Sequence, residues 1–147
     1  MKNGRTKSQS GLAAVEMLIA APVLLILLSG FVEVGNMFIT YNNINKLAQN
    51  GIRYAVVDIY GTSGVSQVAN ESSIKNLVVY GEVSPGGGAT ALVDNLTPDD
   101  VQVSQAGDYV TITVSHDYEP IMGAFNDAMN FDVTFQASST MFIGQSF

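Results

Sequence analysis

Residues 12–32 read LAAVEMLIAAPVLLILLSGFV, and this stretch decides the architecture. Seventeen of its 21 residues are apolar, and its only charge is Glu16. At about 1.5 Å per residue it forms roughly 31 Å of helix, the thickness of a bilayer's hydrocarbon core. The apolar content is concentrated here: the 147-residue chain is 47% hydrophobic but only 13% charged, about half the charge of an ordinary soluble domain. Residues 1–11 carry Lys2, Arg5 and Lys7 with no acid, while the remainder carries a net −10. Basic residues before an apolar span hold that end in the cytoplasm, so everything after Val32 is expected to be exported. A cleaved secretory signal is the rival reading. The run is longer than the usual 7–15 residues, however, and no small-x-small site ends it.

Composition removes several function classes. A chain this acidic lacks the basic stripe that nucleic-acid binding needs. With no cysteine, disulfides, thiol catalysis and thiolate metal sites are excluded. Within the span, Pro22 is tolerable because neighbouring groups in a membrane helix satisfy the freed carbonyl. Glu16 is the anomaly. A carboxylate inside a membrane helix costs about 2.5–3.5 kcal/mol on insertion scales, which points to a function and a cationic partner; snorkelling to the nearby interface, five residues away, is the rival reading. Glu33, 17 residues further on, is expected to mark the far interface.

Beyond the span, Val34, Met37, Tyr41, Ile44, Ala48, Gly51, Ile52 and Ala55 recur in steps of three and four. Asn36, Asn43, Lys46, Asn50 and Arg53 take the other side, so an amphipathic helix is predicted. Gly30 and Gly35 weaken a helix by only about 1 kcal/mol each. One helix is therefore expected from Leu12 to about Val57. Gly61–Gly64 reads as a turn and 65–80 as a weaker helix, in one or two pieces, stopped at Gly81. Ser84–Gly88 is a glycine-rich loop without the Lys-Ser/Thr step of a phosphate cradle. Thr97–Asp100 reads as a turn before a strand at Val101. After a hairpin at 105–108, Val110, Ile112, Val114, His116 and Tyr118 share one strand face. Met122–Met129 reads as a short helix, and Phe131, Val133, Phe135 and Ala137 open another alternating run.

The fold class is thus α+β: a long transmembrane and amphipathic helix packed on a small, mostly antiparallel sheet, polar on its outer face. The segments are 1–11 (a cytoplasmic leader), 12–32 (the membrane half of the helix), 33–57 (its amphipathic half) and 58–147 (an exported α+β domain). No active site is found. His116, the sole histidine, lies on an apolar strand face, where a hydrogen-bonded core role is expected. Asp94, Asp99 and Asp100 lack the spacing of a calcium loop. Asn70-Glu71-Ser72 and Asn95-Leu96-Thr97 match glycosylation sequons, which are common by chance. No enzyme activity, cofactor or metal is expected.

The junction Lys7-Ser8-Gln9-Ser10-Gly11 before Leu12-Ala13-Ala14-Val15-Glu16 resembles a type IV prepilin leader. Pro22 in its leucine run, Glu33-Val34-Gly35, Tyr41, Ala48 and Gly51-Ile52-Arg53-Tyr54-Ala55 narrow the resemblance to the TadE-like minor pilins or pseudopilins of the tight-adherence (Flp, type IVc) pilus. It is dense over 5–57, absent from 58–100, and thinner at Ser138–Met141. Asn36 stands where members often carry arginine. The resemblance implies cleavage between Gly11 and Leu12 by a membrane-embedded prepilin peptidase, and a registering role for Glu16 in assembly. It also implies a surface-attachment pilus, other pilins and an inner-membrane assembly platform as partners. The location is then the bacterial inner membrane, single-pass with the amino terminus inside, and later the pilus or cell surface. A type II secretion pseudopilin is the alternative, although the Phe-Thr-Leu-x-Glu start is missing. A permanently anchored extracytoplasmic binding module is the other.

Overall fold

The computed structural model describes residues 6–57, 68–121 and 133–143. A single helix, α1, runs Thr6–Val57 and passes through Pro22 without interruption. Its 52 residues make a rod about 78 Å long. It starts six residues before the expected Leu12, because nothing in residues 6–10 breaks a helix and Gly11 only weakens one. One stretch of it, within Gly11–Val56, is long and apolar enough to cross a membrane, and none of its most apolar window is buried inside the molecule. The large apolar side chains from Leu12 to Val32 are at least half exposed.

From Glu33 onward α1 acquires a buried side. Glu33, Ile44, Leu47, Ala48, Gly51, Ile52, Ala55 and Val56 are buried. The stripe differs from the predicted one at its membrane end: Val34 and Tyr41 are exposed, while Glu33 and the half-buried Asn36 and Thr40 face inward. Leu47 joins the core unannounced. Phe31, Val32, Val34, Phe38 and Ile39 are exposed, on the side away from the buried Glu33, so hydropathy there could not locate the face that packs.

The second helix, α2, spans Glu71–Tyr80. It begins later than the predicted residue 65, of which 65–67 lie outside the described residues. Asn70 sets its start: the Asn70 Oδ1 accepts from Ser72 N at 2.9 Å, a standard N-cap. Gly81 stops it in the left-handed conformation (φ 76°), its N–H bonded to Leu77 O at 3.0 Å. Pro98–Asp100 form one 3-10 turn, held by the Asp100 carboxylate, which accepts from Thr97 N and Oγ1 at 2.8 and 2.7 Å.

Three strands follow: β1 (Val101–Ala106), β2 (Tyr109–Tyr118) and β3 (Val133–Phe142). They form an antiparallel meander in the order β1-β2-β3. Ala106 pairs with Tyr109, so the hairpin turn is the two residues Gly107-Asp108, with Gly107 at φ 58°. Val110, Ile112, Val114, His116 and Tyr118 are all buried on one face, as the alternation predicted. The other face is laced by hydroxyls, with Thr111 and Thr140 Oγ1 at 2.8 Å and Thr113 Oγ1 to Ser138 Oγ at 3.3 Å. The predicted turn at 61–64 and helix at 122–129 lie outside the described residues.

The core lies between α1, α2 and the inner sheet face. Ile44, Ile52, Ile74, Val78, Ile112 and Val114 are fully buried within it. Each such side chain contributes about 1.5–3 kcal/mol relative to exposure. Gly51 lies where α1 approaches α2 and β2 closely. A Cβ there would lie 2.5 Å from Val78 Cγ2 and 3.2 Å from Ile112 Cδ1.

Candidate assembly helix and the cavity beside it

The residues singled out from the sequence fall into two groups on α1. Gly11, Leu12, Glu16 and Pro22 lie on the exposed apolar half. The Gly11–Leu12 bond is inside the helix, and nothing stands within 4 Å of a Cβ built on Gly11. Glu16 borders a shallow apolar depression with Ile19, Ala20, Val23 and Leu24 along one side of the helix. Among the described residues, no ion pair or hydrogen bond engages its carboxylate.

Glu33, Gly35, Tyr41, Gly51, Arg53 and Tyr54 lie on the half that meets the sheet. Gly35 is open to solvent and Arg53 is exposed. Gly51 is packed as described, and Tyr54 leans on the core. Tyr41 packs edge-on against Phe135 of β3, ring centroids 5.9 Å apart.

Glu33 departs most from expectation. It is 2% exposed rather than at an interface with water. Tyr118 Oη donates to Glu33 Oε1, and Ile121 N donates to the same oxygen at 3.2 Å. Asn36 Nδ2 in turn donates to Tyr118 Oη at 2.8 Å. The four groups fasten the end of β2 to α1 just above the apolar span. Glu33 Oε2 is buried without a hydrogen-bond partner among the described residues. Burial and the Glu33 carboxylate push the Tyr118 phenol above its ordinary value, with Asn36 opposing.

In front of this latch lies a cavity of about 170 Å³. Its walls include Asn36 and Thr40 of α1, Asp94 and Asn95 of the preceding loop, and His116, Tyr118 and Glu119 at the end of β2. His116 is on the predicted face and 5% exposed. The hydrogen bond expected of it is missing, since no group among the described residues bonds its ring. Burial lowers its pKa below 6.5, against the opposing pull of Asp100, Asp117 and Asp94. Sequence reading missed this site because its residues come from three separate segments, and no motif links them.

Both sequons are occupied by structural duties. Asn70 caps α2, and Asn95, at φ 60°, donates to Glu119. No group of three or more metal-ligating side chains occurs among the described residues.

No curated protein and no solved structure matches the chain. A family model does, over residues 11–53, and it ends within the helix, short of Ser138–Met141, where the resemblance was thinner. That model is described as TadE-like protein, so α1 from Gly11 to Arg53 is similar to that family.

Proposed function

We propose that the chain is a minor pilin or pseudopilin of a tight-adherence pilus, acting by assembly rather than by catalytic turnover. The observation that carries this is the placement of the TadE-like match on α1, whose apolar span is uncovered and holds one carboxylate, unpaired among the described residues. An apolar helix side left open by its own fold is satisfied by lipid first and by neighbouring helices afterwards. Head-to-tail contacts between such helices are heterologous and propagate as a filament. Other pilins, a prepilin peptidase and an inner-membrane platform are the partners this reading requires.

Cleavage is its first chemical step. A protease binds its substrate extended, so the helix around Gly11 must open before the Gly11–Leu12 bond is cut. Glycine makes that opening about 1 kcal/mol easier than alanine would, and it leaves the backbone unobstructed. The new Leu12 ammonium then offers Glu16 of an adjacent subunit a cationic partner. The helix dipole contributes only about 0.3–1 kcal/mol at that end, too little to offset the insertion of a carboxylate.

Intact-mass analysis of the protein from a peptidase-positive host tests the reading. The expected mature chain begins at Leu12, and Gly11→Phe accumulates uncut. Recovery of the wild-type chain with its first eleven residues attached overturns it.

A further inference from the structure

The cavity beside the latch has the character of a ligand site. Its mouth carries two exposed carboxylates, Asp94 and Glu119, and among the described residues no lysine or arginine lines it. Its depth presents the buried His116 ring, without a hydrogen-bond partner among the described residues, together with the Tyr118 and Thr40 hydroxyls and the Asn36 amide. His116 is 95% buried and lines the cavity with no hydrogen-bond partner for its ring among the described residues, so a donor entering the cavity can bond it. The volume, about 170 Å³, matches a head group of a few non-hydrogen atoms rather than a peptide or nucleotide. Asp100 and Asp117 add to the negative field at His116.

We propose that this cavity receives the cationic tip, guanidinium or ammonium, of a basic side chain from a neighbouring protein subunit, a role that rests on the assembly reading above. Guanidinium brings five donors and ammonium three, to meet the Asp94 and Glu119 carboxylates at the mouth and the His116 ring. A lipid head group fits less well, because its phosphate would face Asp94 and Glu119. The residues beyond position 11 carry a net −10, so two copies repel each other unless basic groups are placed opposite acidic ones. A receptor for one basic side chain, located where the sheet is fastened to the helix, fixes the axial position of the neighbour.

His116 is the only histidine, so its ring gives one assignable NMR signal. The full chain, in detergent micelles with ring-labelled histidine, is titrated with methylguanidinium and, separately, with the neutral isostere methylurea. A saturable shift with methylguanidinium alone is expected. Asp94→Asn with Glu119→Gln, both at exposed positions, weakens binding by roughly tenfold, the loss of two exposed ion pairs. Glu82→Gln leaves it unchanged. No saturable shift, or an equal one with methylurea, overturns the cation site.

A photo-reactive residue replacing the exposed Ile121 then identifies the source in pilus-assembling cells. An adduct to a lysine- or arginine-bearing peptide of another subunit is expected. An adduct to lipid, or none to protein, overturns the partner. Cation binding by a chain whose first eleven residues are never removed would leave the site standing and the pilus reading fallen.

Discussion

Gly51 and Gly35 occupy the same helix and respond oppositely to one methyl group. At Gly51 the new Cβ would meet the fully buried Val78 at 2.5 Å, where the side chain has no free space to retreat. Overpacking of this kind costs about 1–3 kcal/mol and outweighs the roughly 1 kcal/mol that alanine gains in helix propensity. At Gly35 nothing lies within 4 Å and only the propensity gain remains. Thermal melts followed by circular dichroism should therefore show Gly51→Ala lowering the midpoint and Gly35→Ala raising it. His116 supplies a pH-dependent counterpart. Its folded pKa is depressed below the unfolded value of 6.5 by burial, so the unfolded chain binds the proton more readily. The stability that comes from keeping the ring neutral is complete above about pH 6.5. It is lost as pH falls from there through the folded pKa. Denaturant midpoints should drop over that window in the wild type and less steeply in His116→Gln.

At the scale of elements, the question is what holds β2 to α1. Removing the Tyr118 hydroxyl leaves the buried Glu33 carboxylate, whose Oε2 has no partner among the described residues, held by the Ile121 N–H alone, at a cost of about 1–3 kcal/mol. A double-mutant cycle of Tyr118→Phe and Glu33→Gln, read by denaturant unfolding, should give a coupling of about 0.5–3 kcal/mol. Additive effects would mean that the two side chains meet without holding the elements together. This latch also marks where sequence reading stopped being sufficient. The strands were legible because Val110 to Tyr118 alternate about a single boundary between core and solvent. So was the helix around Ile44–Ala55, where one side meets core and the other meets water. Between Phe31 and Ile39 most apolar residues (Phe31, Val32, Val34, Phe38 and Ile39) are exposed, while a carboxylate, Glu33, occupies the packed side. Periodicity measures apolarity, which lipid and core both demand, so it could not tell the two sides apart. Nor could it bring Asp94, His116 and Glu119 together, because their proximity comes from the sheet meeting the 91–97 loop.

Taken whole, the molecule is polarised from end to end. Three basic residues precede an apolar span with no core of its own, and a sheet-bearing part follows within a remainder of net charge −10. The membrane potential and the positive-inside bias both act on this arrangement in one direction, favouring a cytoplasmic side for Lys2, Arg5 and Lys7. The latch at Glu33 adds a steric condition. The sheet is fastened within one residue of the span's end, so the folded part must lie against the membrane face that α1 emerges from. With the amino terminus inside, that face is the outer one. A carboxy-terminal fusion to alkaline phosphatase, active only when exported, should be active in whole cells, and the matching fusion to a cytoplasmic reporter silent. Replacing Lys2, Arg5 and Lys7 together with glutamine should lower phosphatase activity, because the retaining charge is gone while the apolar span is untouched. If the wild-type fusion works only as the cytoplasmic reporter, the sheet and its cavity face the cytoplasm, and assembly outside the membrane is ruled out.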